Sequence, residues 1–128
     1  ESPKFSSKGF YVVNNTFINE RPGGTFVRNR DPAAMATLIN NLILGTDKLL
    51  EGPGTVDHCL VVTGGFRDPA RRDYHLVAGS PAIGAGVRPS TVNGFSLLPR
   101  EEYVHPLNFI ARASGKSIDL GAYAFKPH

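Results

Sequence analysis

Residues 9–20 read GFYVVNNTFINE and residues 37–45 read TLINNLILG. Each is an apolar run, an Asn-Asn pair and a second apolar run. Laid over one another, they put Val13 on Ile39, Asn14 on Asn40, Asn15 on Asn41, Phe17 on Ile43 and Ile18 on Leu44, an interval of 26 residues. A degraded third copy, VDHCLVV at 56–62, carries His58 and Cys59 at the Asn positions after an interval of 18. Short β-prone runs on either side of a polar pair read as strand, corner, strand. Asparagine suits the corner because it tolerates left-handed backbone. Between the first two copies, TFVRN at 25–29 is a further strand-like piece, set between Gly23-Gly24 and Asp31-Pro32.

One copy alone would read as a hairpin with an Asn-Asn turn. Copies in register point instead to a solenoid, in which each turn of chain forms one coil and equivalent residues stack about 4.8 Å apart. The fold expected is all-β: a short right-handed parallel β-helix of two to three coils over residues 1–62, then a loop-rich C-terminal capping segment over 63–128 of the same domain. Asn14, Asn15, Asn40 and Asn41 are expected to form a structural ladder, their amides donating and accepting along the axis. DPAAMATLINNL at 31–42 has some helical propensity, but its Asn pair belongs to the repeat. Asn14-Asn15-Thr16 also matches a glycosylation sequon, which a bacterial-type solenoid corner explains without a sugar.

The composition agrees with many strands and turns. The chain has 128 residues, 41% of them hydrophobic, with 14 Gly, 10 Pro and no Trp. That length suits one domain with its own core. The net charge of +3 comes from scattered cations, Lys4, Lys8, Arg28, Arg30, Lys48, Arg67, Arg71, Arg72 and Arg112 among them. A scattered excess keeps a protein soluble and gives mild attraction to polyanions, without the basic run of a nucleic-acid tail. No apolar run approaches the roughly 20 residues of a membrane span. No partnership with nucleic acid or membrane is therefore expected. The single cysteine, Cys59, excludes an internal disulfide. The N-terminal stretch ESPKFSSKGF has no signal-peptide core and no initiator Met, as expected of a chain processed, trimmed or excised from something longer.

After residue 62 the period stops, and DYHLVAGSPAIGAG occupies 73–86. A solenoid leaves an apolar cross-section and open strand edges at each end, and these must be covered. The phrase reads as that cover, with Tyr74, Leu76, Val77 and Ile83 laid across the last coil. Gly79 and its neighbours allow bends, and Pro81 blocks further strand pairing. Asp73 is placed to accept backbone N–H groups. Gly79-Ser80-Pro81 lacks the second Gly of a nucleophile elbow, so Ser80 is read as part of the cap.

The Asn-Asn coils, this phrase and the closing SIDLGAYAF resemble the C-terminal end of right-handed parallel β-helix proteins of the pectate-lyase-like superfamily. The residues that carry the resemblance are Asp73, Tyr74, Leu76, Gly79, Ser80, Pro81, Ala82 and Ile83, then Asp119, Gly121, Ala122 and Tyr123. Gly84 departs from it, since the family often has Asp there, and the chain supplies fewer coils than a complete member. The resemblance implies an architecture and a carbohydrate-associated setting, secreted or periplasmic. Similar ends occur in lyases, epimerases, hydrolases and proteins of unknown role.

Candidate chemistry is sparse. On TFVRNRD, inward Val27 and Asn29 would leave Phe26, Arg28 and Arg30 on one outer face, where a ring can stack on sugar and guanidinium can pair with uronate. The plainer reading buries Phe26 under a loop and pairs the arginines with Asp31 or Glu20. RDPARRD at 67–73 reads as a solvated turn with local ion pairs. None of His58, His75, His105 and His128 sits in a metal-ligand spacing, and Glu101 and Glu102 would face opposite ways on a strand. No metal or cofactor is expected, and no catalytic residue is named.

Three functions fit. The chain is expected to be the terminal β-helix portion of a carbohydrate-associated protein, structural or in contact with acidic polysaccharide. Alternatives are a small lyase or epimerase acting on uronate sugars, and an assembly module that pairs through an exposed coil end. The first and third imply a homo-oligomer or missing N-terminal coils.

Overall fold

The computed structural model describes residues 9–19, 23–45, 48–89, 91–92, 94–104, 108–112 and 117–126. Lys4, Lys8, Glu20, His105 and His128 lie outside them. The described residues form short strands and one 3-10 turn, with no α-helix.

Three parallel sheets carry the repeat. The strands β1 (Gly9–Val13), β2 (Thr16–Ile18), β3 (Thr25–Arg28), β4 (Met35–Ile39), β5 (Leu42–Leu44), β6 (Lys48–Glu51), β7 (Gly54–Asp57) and β8 (Leu60–Val62) follow in chain order. They sort into the sheets β1-β4-β7, β2-β5-β8 and β3-β6, so each strand pairs with its equivalent one repeat on. The register puts Val13 opposite Ile39, Phe17 opposite Ile43 and Ile18 opposite Leu44. In the third copy Ile39 lies opposite Asp57 and Leu42 opposite Leu60, which lines His58-Cys59 up with Asn40-Asn41. The first residue of each corner has left-handed backbone: φ is 54° at Asn14, 58° at Asn40 and 51° at His58. This all-β arrangement of stacked parallel strands is compatible with a β-helix-like coil. The segment with helical propensity supplies β4, because cross-strand pairing on both sides outweighs a weak local preference.

Stacking explains the burial. Ala36, Leu38 and Ile43 in the middle coil are all 0% exposed. Their counterparts at the ends are not covered: Phe10 is 36% exposed, Val56 49% and Val61 58%.

The corner amides do two jobs. Asn41 works along the stack: its Oδ1 accepts Asn15 N at 2.9 Å, and its Nδ2 donates to Val12 O at 2.8 Å and to Cys59 Sγ at 3.6 Å. Asn40 mostly works sideways. Its Nδ2 donates to Val87 O at 2.6 Å and its Oδ1 accepts Val87 N at 2.8 Å, while the link to Asn14 Oδ1 is 3.4 Å. Asn14 Nδ2 donates to Asp119 O and Gly121 O at 3.0 and 3.2 Å. The expected axial ladder is thus one column, and the second column fastens the coils to the C-terminal segment.

That segment contains antiparallel hairpins: β9 (Phe66–Asp68) with β10 (Asp73–Leu76), β11 (Thr91–Val92) with β12 (Phe95–Ser96), and β13 (Glu101–Val104) with β14 (Asn108–Ala111). Leu42, Val62, Phe66, Leu76, Ala82 and Leu120 form the buried cluster, with Tyr74 and Ile83 packed against it. Each buried Leu, Val or Phe of the cluster contributes about 1.5–3 kcal/mol. Gly121 N donates to Asn40 O at 2.8 Å, and Ala122 N donates to Thr16 Oγ1 at 2.9 Å. At Gly121, φ is +84° and a Cβ would fall 2.6 Å from Thr16 Oγ1, so only glycine fits. The C-terminal segment therefore lies along the flank of the coils. Of the cap phrase, Leu76, Tyr74 and Ile83 join Leu60 and Val62 of the third copy in one cluster, while Val56 and Val61 stay half exposed.

Asn40→Gly should cost about 1–3 kcal/mol, the loss of two buried amide bonds. Asn40→Ala should cost about 1 kcal/mol more, because alanine pays for left-handed backbone that glycine does not. Urea denaturation of both variants checks this; equal losses would show that the corner conformation is not what Asn40 supplies.

Candidate functional site

The segment RDPARRDYH folds into a tight hairpin. Pro69 starts a 3-10 turn over Pro69–Arg71, and Arg72 closes it with left-handed backbone, φ 61°, its N–H donating to Pro69 O at 3.0 Å. The register then sets Asp73 opposite Asp68, two like charges across a strand pair. Two arginines relieve the repulsion: Arg67 Nε lies 3.0 Å from Asp73 Oδ2, and Arg71 Nε lies 3.6 Å from Asp68 Oδ2.

Strand alternation places His75 on the same face as Asp73. Asp73 Oδ1 lies 2.6 Å from His75 Nδ1 and accepts His75 N at 3.2 Å. With Nδ1 against a carboxylate, the neutral ring carries its hydrogen there and leaves Nε2 as an acceptor, whereas the protonated ring would donate from both nitrogens. Partial burial works to raise the Asp73 carboxyl, but the hydrogen bonds from His75 and the Arg67 charge outweigh it and hold the group below its ordinary value.

Tyr123 stacks on His75, with ring centroids 4.0 Å apart. Its position follows from how the last segment is tied down. Asp119 accepts Gly84 N on one oxygen and Phe125 N on the other, both at 2.7 Å. Arg112 donates to Gly121 O and Asp119 O, the carbonyls that Asn14 also reaches. Burial pushes the Arg112 guanidinium down from its ordinary value, against the pull of Glu102 and Asp119. Burial likewise pushes Tyr123 up, with the Glu102 and Asp73 charges adding to it, so it stays a phenol at neutral pH. Glu102 is buried; its Oε2 accepts Ala124 N at 2.8 Å and its Oε1 lies 3.2 Å from Lys126 Nζ.

Arg71, Arg72, Asp73, His75, Tyr103 and Tyr123 line a cavity of about 700 Å³, with Val104 and Ile110 as its apolar wall. The cavity combines cations, the Asp73 carboxylate, the histidine it holds, phenols and apolar wall. It can hold an anionic ring compound and exchange hydrogen bonds with its hydroxyls.

Of the residues singled out from sequence, Asp73 and Tyr123 line this cavity and the others lie elsewhere. Phe26 is half-buried against Phe17, ring centroids 5.2 Å apart, and is not a free platform. Arg28 is exposed with Nε 4.0 Å from Glu51 Oε2, and Arg30 is exposed beyond it. In the cap phrase, Tyr74 meets Phe66 edge-on at 5.5 Å and Gly79 takes φ 83°. Ser80 is buried, its Oγ accepting Ala82 N at 3.3 Å, and Pro81 is exposed. His58 is exposed at its corner, Nδ1 2.6 Å from Asp57 Oδ1, and burial raises the Cys59 thiol beside Asn41. Among the described residues, no group of three or more His, Cys, Asp and Glu comes together as a metal site. The reading of residues 67–73 as a solvated turn caught its ion pairs but missed the cavity. Asp73-X-His75 on one strand face was the available signal; Tyr123, nearly fifty positions on, gave none.

A carboxyl held below its ordinary value stabilises the fold above the unfolded-state pKa and loses that contribution as pH falls through the folded value. Asp73→Asn should therefore lower stability at neutral pH and flatten its fall below about pH 4. Thermal melts across pH check this, and parallel curves for both proteins would contradict it.

Comparison with protein-family models, with curated proteins and with solved structures finds no match to this chain.

Proposed function

We propose that this chain is the terminal portion of a right-handed parallel β-helix protein of the pectate-lyase-like kind, a scaffold that meets acidic polysaccharide. The observation that carries the reading is the register: corners one repeat apart lie in line through three parallel sheets. The likeness of residues 73–83 and 119–123 to the ends of such proteins supports it from sequence. Such a frame presents side chains at the fixed strand spacing along a rigid face, which suits a repeating polymer. Arg28 and Arg30 beside the coil, and Arg71 and Arg72 on the flank, offer guanidinium groups to its carboxylates. Native gels cast with polygalacturonate should retard the protein, gels cast with a neutral glucan should not, and salt should weaken the effect. Equal migration in both gels would remove the polysaccharide from the proposal.

A second reading, assembly through a coil end, is favoured by the half-exposed Val56 and Val61 and by the open hollow of about 500 Å³ beside β8, lined by Leu60, Val61, Val77 and Pro81. Strands at the end of a sheet offer unpaired backbone groups to another chain. Light scattering over a dilution series should show a dimer or larger species, and Val61→Lys should shift it to monomer with an unchanged circular dichroism spectrum. A monomer at every concentration would exclude this reading.

A further inference from the structure

We infer that the cavity between the β9–β10 hairpin, the β13–β14 hairpin and Tyr123 holds a carboxylate-bearing sugar ring, with Arg72 and Arg71 on the carboxylate and His75 Nε2 accepting a ring hydroxyl. The choice of ligand rests on the polysaccharide reading above; the site is what is added.

The charges around the cavity are unevenly committed. Arg67 is taken by Asp73 at 3.0 Å. Arg71 holds Asp68 only loosely, at 3.6 Å with a largely exposed side chain. Arg72 forms no ion pair among the described residues, and the left-handed turn brings it to the cavity rim. Asp73, the carboxylate in the cavity wall, has both oxygens engaged. Asp73 gives Oδ1 to His75 and Oδ2 to Arg67, while Glu102 is buried against Ala124 N and Lys126. A loosely paired guanidinium and one with no ion pair among the described residues, both lining the cavity, offer charge and hydrogen bonds to a carboxylate.

The remaining wall suits a sugar. Half-exposed Tyr103, stacked Tyr123 and Ile110 supply aromatic and apolar surface for the C–H face of a ring. Tyr123, kept as a phenol, can donate, and His75 Nε2 can accept, so one hydroxyl of each polarity is recognised. A volume of about 700 Å³ lies within the range of small-molecule sites.

Calorimetric titration with digalacturonate, and with a neutral disaccharide of the same size, tests this. Digalacturonate should bind and the neutral sugar should bind at least about tenfold more weakly, the worth of one charge-assisted contact. Arg71→Ala/Arg72→Ala should lose at least about tenfold in affinity while its melting temperature falls only slightly, because the Arg71–Asp68 pair is long and exposed. His75→Gln should weaken binding less. In the unaltered protein, the His75 Nε2 resonance should move on adding digalacturonate. Undiminished binding by the double arginine variant, equal binding of the neutral sugar, or a static His75 resonance would each overturn the site. Polygalacturonate gels separate the two proposals. Retardation that persists without Arg71 and Arg72 but disappears in Arg28→Ala/Arg30→Ala overturns the cavity and leaves the polysaccharide reading standing. No retardation of any protein removes both.

Discussion

The left-handed corner residue is the constraint on which the rest of this molecule depends. An L-residue with φ near +55° costs about 1–2 kcal/mol, and that cost recurs at Asn14, Asn40 and His58. It is offset only when the chain on both sides of the corner finds a partner strand. The corners, lined up by the register, make that possible for two sheets at once. Asparagine reduces the cost, because its short amide can bond to nearby backbone. Asn14 and Asn40 also bond toward the C-terminal segment, and Asn41, the next corner residue, bonds along the stack.

From the second column of amides follows the position of everything downstream. The carbonyls of Asp119 and Gly121 are held by a corner amide on one side and by Arg112 on the other. Thus Asp119 is fixed, its carboxylate gathers Gly84 and Phe125, and Tyr123 between them is set against His75. The cavity on the flank is a product of this chain of fastenings, and its histidine is oriented by Asp73.

The stacked parallel strands were legible in the sequence because their signal is a repetition: two Asn pairs in the same frame, then His58-Cys59 in the same place. Register follows from repetition with no knowledge of the third dimension. The flank was not legible, since Leu120 and Gly121 meet Leu42 and Thr16 through contacts that no local pattern encodes. Phe26 looked exposed on alternation alone, yet Phe17 from the neighbouring strand half-covers it. Asp73 and His75 could be read as sharing a strand face. That they meet Tyr103 and Tyr123 required three segments of the chain to be brought together.

The bonds from Asn14 to Asp119 and Gly121 span separations of 105 and 107 residues. Contacts so distant in sequence come late in folding, since the loop they close must lose its entropy before they repay it. During synthesis from the N-terminus, the first corner is made early and completed last. Until residues 119–121 emerge, the Asn14 amide lacks its acceptors, the Thr16 hydroxyl lacks Ala122 N, and the Leu42 side chain lacks Leu120. A nascent chain halted before those residues is therefore a set of coils with an open flank, the kind of intermediate that aggregates. The final ten described residues act as the latch of the whole domain.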